Sequence, residues 1–167
     1  MPHHTRPRGF TLIELLVVIA IIGILSAIVM ASLNAARTKG SDAGLRANLK
    51  TVQTQAALFS SDNNSYGTFD DGAGGPTTCP LPTDVGTTLF HNTTVANAIA
   101  AALLDSMSGT AVCIAADDSF AVAVARPNDG NAVPPSTYWC VDSAHNNCGV
   151  NSNALTGASC GTCDTTD

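Results

Sequence analysis

The twenty residues from Gly9 to Ile28, GFTLIELLVVIAIIGILSAI, narrow what this chain can become more than any other part of it. Phe10 to Met30 is a run of 21 residues whose only charge is Glu14. As a helix rising ~1.5 Å per residue it reaches roughly 31 Å, the thickness of a bilayer's hydrocarbon core. A helix apolar on every side has no face to give to water, so it belongs in lipid or among other helices. Glu14 needs a separate reason. A carboxylate at membrane depth costs on the order of 2.5–3.5 kcal/mol, so a partner and a task are expected for it.

Gly9, Phe10, Thr11, the four-residue step from Phe10 to Glu14 and the apolar run together resemble the N-terminus of type IV pilins and type II secretion pseudopilins. The resemblance implies a prepilin leader over residues 1–9, cut after Gly9 by a prepilin peptidase, with Phe10 becoming the methylated first residue. A glycine at the scissile position leaves no Cβ to obstruct the peptidase. It also implies that the Glu14 carboxylate pairs with the Phe10 amine of a neighbouring subunit during assembly. One position departs from the pattern: many relatives have proline 21 residues after the first mature residue, where this chain has Ala31. The main competing reading is a secretory signal peptide cut after Ala31. The early acid counts against it, and so does an apolar run that continues into an amphipathic helix. An N-in orientation follows from the resemblance and not from charge, because Arg37, Lys39, Arg46 and Lys50 follow the anchor while only Arg6 and Arg8 precede it.

Leu45, Leu49, Val52, Ala56 and Phe59 step by four, three, four and three, which puts one apolar stripe on a helix facing a core. A helix from Phe10 to about Ser60 is expected, bent near Gly40, with Ser41 or Asp42 capping a restarted segment. It should stop in the turn-rich stretch Ser61 to Gly67. The acid–Asn turn followed by Tyr66 is a second similarity to pilins and major pseudopilins, with Tyr66 packed on the helix. Residues 67–88 read as a loop held in part by Cys79. Thr94 to Met107 reads as a helix capped by Thr93 or Thr94. Three strands follow, Thr110–Ala115, Ser119–Arg126 and Ser136–Asp142, with Asp117-Asp118 as a turn and not a calcium site.

Only 12% of residues are charged and 5% aromatic, so the head must fold with few large side chains and needs staples. Six cysteines, Cys79, Cys113, Cys140, Cys148, Cys160 and Cys163, all lie beyond the anchor. That points to disulfides in an oxidising compartment, with 15 pairings open. Cys113 and Cys140 fall on strands, where facing positions can bridge. Cys160-Gly161-Thr162-Cys163 has redox or zinc half-site spacing but no second pair. After Lys50 the chain has eleven aspartates and one basic residue, Arg126, a balance that repels nucleic acid and anionic headgroups. No phosphate loop, zinc-protease helix or nucleophile elbow occurs, and His91 and His145 stand isolated, so no enzyme, cofactor or metal is expected.

The expected fold is α+β and pilin-like, with a long N-terminal helix against a small antiparallel sheet. The expected parts are a leader over 1–9, a membrane and assembly helix over 10–36, an amphipathic half over 37–60 and an extracytoplasmic head over 61–167. The function expected from the resemblance is a type IV pilus subunit, stored in the inner membrane as a single-pass protein with its N-terminus in the cytoplasm. It polymerises with other pilin subunits at an assembly platform into a surface pilus. The alternative is a type II secretion pseudopilin in a periplasmic pseudopilus. A third reading, an anchored binding module that never polymerises, would make Glu14 dispensable.

Overall fold

The apolar run and the amphipathic stretch behind it form one element. Helix α1 covers Leu12–Asn63, 52 residues, in a computed structural model that describes residues 9–106, 111–127, 138–150, 155 and 157–161. The helix continues through Gly40 and Gly44, so no restart occurs at Ser41 or Asp42. It ends three residues beyond Ser60. Asn64 takes a left-handed φ of 56° while its N–H still donates to the Ser60 carbonyl at 2.8 Å. Asparagine tolerates that conformation at a helix end better than most residues.

By compactness the chain divides into Met1–Arg37 and Thr38–Asp167. In the first unit α1 exposes every large apolar side chain from Leu12 to Leu33 that the structure describes. In the second, residues 38–63 of α1 pack on a sheet together with α2 (Thr93–Ser106) and a 3-10 turn (Leu89–His91). The predicted apolar stripe is buried: Leu45, Leu49, Val52 and Ala56 are fully covered, and Phe59 packs against the same core. Gly44 has a local reason to be glycine. A Cβ there would stand 2.6 Å from Oδ2 of Asp105 in the last turn of α2, and that oxygen accepts a hydrogen bond from Asn48 Nδ2 at 3.1 Å. Helix α2 is capped one residue earlier than expected. Asn92, not Thr93 or Thr94, accepts the N–H groups of Thr94 and Val95 at 3.0 and 3.3 Å.

Among the described residues the sheet is an antiparallel meander in chain order: β1 (Thr77–Thr78), β2 (Ala111–Ala115), β3 (Phe120–Ala125), β4 (Tyr138–Asp142) and β5 (Asn147–Val150). The three expected strands are β2, β3 and β4. Strand β1 lies inside the stretch read as loop, and β5 follows β4 through a short turn. Phe-Ala-Val-Ala-Val-Ala in β3 is buried throughout. Its large side chains, Phe120, Val122 and Val124, join the helix-side core, and its alanines, Ala121 and Ala123, face a second cluster with Leu155 and Cys160. The pleat therefore sorts large from small side chains instead of apolar from polar. Asp117 and Asp118 form the hairpin turn between β2 and β3, closed by Ala116 N–H to the Ser119 carbonyl at 2.8 Å.

The cysteines obey the same two-face logic. Cys113 lies in the helix-side core and Cys140 in the opposite cluster, so the two cannot bridge each other. Cys79 bonds Cys113 and Cys140 bonds Cys160. Cys148 is also disulfide-bonded, and Cys163 lies outside the described residues. Because Cys160 is joined to Cys140, the Cys160–Cys163 spacing does not form a redox pair with its own disulfide. Closing loops of 34 and 20 residues is worth about 3–4 kcal/mol each in the chain-entropy picture. That suits a head poor in large side chains.

Candidate assembly site

Helix α1 opens with Thr11 and Glu14 in a reciprocal arrangement. Glu14 Oε2 accepts from the Thr11 N–H at 2.8 Å and from Thr11 Oγ1–H at 2.7 Å. Thr11 Oγ1 in turn accepts from the Glu14 N–H at 3.3 Å. This is a capping box, Thr-x-x-Glu, which satisfies two of the donors left orphaned at a helix start and sets a negative charge near the positive end of the helix dipole. Glu14 therefore has a partner within its own chain as well as the one its burial cost calls for. The pattern Thr11-Leu12-Ile13-Glu14 was present in the sequence as the signal for it.

The surface beyond this cap is apolar in every direction. Phe10 is 85% exposed, and Leu16, Val17 and Val18, on successive sides of the helix, are all exposed. By length and composition α1 is able to cross a membrane. Gly9 is exposed, and among the described residues no atom lies within 4 Å of where a Cβ would stand. Residues 1–8 of the expected leader lie outside the described residues.

A polar cluster ties the head's share of α1 to the sheet. Asp42, read as a helix cap, instead receives Trp139 Nε1–H at 2.8 Å and Arg126 Nε–H at 3.2 Å on Oδ1, and Arg46 Nε–H at 2.9 Å on Oδ2. Both guanidinium groups lie over the indole ring, at 3.7 Å for Arg46 and 4.8 Å for Arg126, a geometry in which the ring face attracts the cation. Trp139 is almost wholly buried. Arg46 is a local i,i+4 partner of Asp42, but Arg126 and Trp139 lie 84 and 97 residues away, so no local motif announces the tie to the sheet.

The remaining candidates have structural partners. Tyr66 packs on Phe120 of β3 with the two rings tilted by 57° and their centroids 5.0 Å apart, and its carbonyl accepts from the Leu89 N–H. Asp117 accepts from Ser65 Oγ–H at 2.9 Å, and its carbonyl accepts from Tyr66 N–H. His91 Nδ1 is 2.7 Å from Thr88 Oγ1. Asp142, 1% exposed, accepts from Asn146 N–H and Cys160 N–H and so fastens the tail to the end of β4. Among the described residues no group of three or more His, Cys, Asp or Glu side chains is placed to hold a metal ion. Asp71 is held below the ordinary aspartate range by the Gly75 and Ala73 N–H groups.

Residues 5–30 match the family model of the prokaryotic N-terminal methylation motif. The type IV wide pilus major component of Thermus thermophilus is 48% identical over 59 residues, 35% of this chain and 45% of that one. The type II secretion system core protein G of Dickeya chrysanthemi is 35% identical over 81 residues, 46% of this chain and 53% of that one. The type IV major pilin of Myxococcus xanthus is 41% identical over 64 residues, 38% of this chain and 29% of that one. The chain thus matches about half the length of the first two relatives or less. No solved structure matches it. By its methylation motif and by these relatives, over part of its length, the chain resembles type IV pilins and the protein G pseudopilins of type II secretion.

Proposed function

We propose that this chain is the structural subunit of a type IV pilus. It is inserted in the inner membrane through α1 with its N-terminus in the cytoplasm, cut after Gly9 by a prepilin peptidase and methylated on Phe10. An assembly platform then draws it into a filament whose core is made of the helices starting at Phe10. The observation that carries this reading is an α1 surface apolar on every side, preceded by Gly9, Phe10 and Thr11 and carrying Glu14 in its first turn. Such a surface needs lipid before assembly and like helices after it. Cleavage releases a cationic amine on Phe10, and the Glu14 carboxylate of a neighbouring subunit is its counter-charge in a medium of low dielectric. The leader, the assembly helix and the head expected at 1–9, 10–36 and 61–167 are the parts this cycle uses. The chain has no catalytic role in it.

One observation favours a second reading. The protein G match extends over 46% of the chain against 35% for the Thermus pilus protein, and a pseudopilin would use the same anchor in a periplasmic fibre. A strain lacking this chain separates the two. Loss of surface fibres with exoenzyme secretion intact is the expected result. Intact fibres with exoenzymes trapped in the periplasm would replace the pilus by the pseudopilus.

A further inference from the structure

Charge in the second unit is sorted by position along α1. Lys39, Arg46 and Lys50 are spaced seven and four residues apart, which sets them on one side of the helix. Lys39 and Lys50 are exposed, and Arg46 is 43% exposed at its side chain. Arg46 is paired with Asp42, which also holds Arg126 and Trp139; Asp105 accepts from Asn48; and Lys50 Nζ donates to the uncharged Gln53 Oε1 at 2.8 Å, which leaves its charge unbalanced by that contact. No lysine or arginine occurs between Lys50 and Arg126.

The other end is acidic. Asp62 lies in the last turn of α1. The Asp117-Asp118 turn is tied to the segment just beyond that helix by Ser65 Oγ–H to Asp117 and by Tyr66 N–H to the Asp117 carbonyl. Phe69 bridges Ala115 at the end of β2, which brings Asp70 and Asp71 to the same end. Asp62, Asp71, Asp117 and Asp118 are exposed. From Lys39 to Asp62 along a helix rising ~1.5 Å per residue is roughly 35 Å.

From this separation we infer that the basic flank of one head, Lys39 and Lys50, docks against the acidic end, Asp62, Asp117 and Asp118, of a second copy of this chain. The inference rests on the filament reading above and adds the surface by which heads recognise one another. Parallel heads in register would set like charge against like. A displacement along the helix direction sets cation against carboxylate. The two surfaces differ, so the contact is heterologous and extends into an open helical array instead of closing as a dimer. Ionic screening over about 8 Å at physiological salt makes it a contact of near neighbours.

Charge reversal in the full-length chain tests this, read as filament yield sheared from cells against the membrane-held pool. Lys39→Glu with Lys50→Glu, and separately Asp62→Lys with Asp118→Lys, should each lower the yield by about fivefold or more. All four changes together should bring it back to within about threefold of the parent. The Cys79–Cys113 and Cys140–Cys160 bridges, mapped in each variant, show that the heads have folded. Parental yield from either double variant, or folded heads with no recovery in the quadruple one, overturns the docking surface and leaves the filament reading standing. A parent chain that is processed but never sheared from the surface overturns the filament reading, and this inference with it.

Discussion

Glu14 shows how one residue can serve two states. In the single chain it closes a capping box with Thr11; in the proposed filament it meets the Phe10 amine of a neighbour. Glutamine can close the same box without the charge, whereas alanine can do neither. Glu14→Gln and Glu14→Ala should both insert in the membrane and both fail to form filaments, as judged by electron microscopy and by the sheared fraction. Filaments from Glu14→Gln at the parental level would reduce Glu14 to a helix cap. Asp71 offers a second test at this scale. Its carboxylate receives the Ala73 and Gly75 N–H groups, which lower its pKa. For a depressed acid the stabilisation is complete above the unfolded aspartate value and is lost as pH falls through the folded one. The 70–75 loop should therefore hold its backbone chemical shifts as pH drops to the ordinary aspartate range and lose them only below it. A loop that loosens well above that range would contradict the assignment.

At the scale of elements, the cluster around Asp42 fastens α1 to strand β4. Asp42→Ala removes the acceptor of a buried indole N–H and of two guanidinium donors. A loss of about 2–3 kcal/mol in head stability is expected, read by thermal melting of the full chain in detergent with its disulfides intact. Melting within a degree or two of the parent would mean that the cluster is ornamental. The elements also show what the sequence could and could not convey. The head half of α1 was legible because the 4-3-4-3 spacing from Leu45 to Phe59 has one solution. Strands β2, β3 and β4 were legible from β-branched and alternating residues. Strand β1 was not, because two threonines become a strand only by pairing with β2 beside the Cys79–Cys113 bridge. Nor was β5, where Asn147, Cys148 and Gly149 carry little intrinsic preference and the register comes from β4. The disulfide pairing depended on which face of the sheet each cysteine takes, and Asp42's tie to the sheet on Arg126 and Trp139, far away in sequence. The proposed assembly residues Gly9, Phe10 and Glu14 rest on family likeness, while the capping box was written in the sequence as Thr-x-x-Glu.

The whole molecule joins two incompatible surfaces in one chain. In one unit, helix α1 exposes its large apolar side chains from Leu12 to Leu33 on every side. The other closes its core on both sides of a sheet, staples it with disulfides and, Asp142 aside, leaves most of its described acids at or near the surface. Such a chain needs lipid or its own kind for the first unit and water for the second, and an assembled filament supplies both. Processing between Gly9 and Phe10 is the event on which the account turns, because it creates the amine that Glu14 is proposed to meet. The most direct test is the intact mass and N-terminal peptide of protein sheared from the cell surface. The expected result is a chain beginning at a methylated Phe10 and retaining the whole apolar helix. A chain beginning at Ser32 would contradict it, since the entire anchor would then have been an ordinary signal peptide.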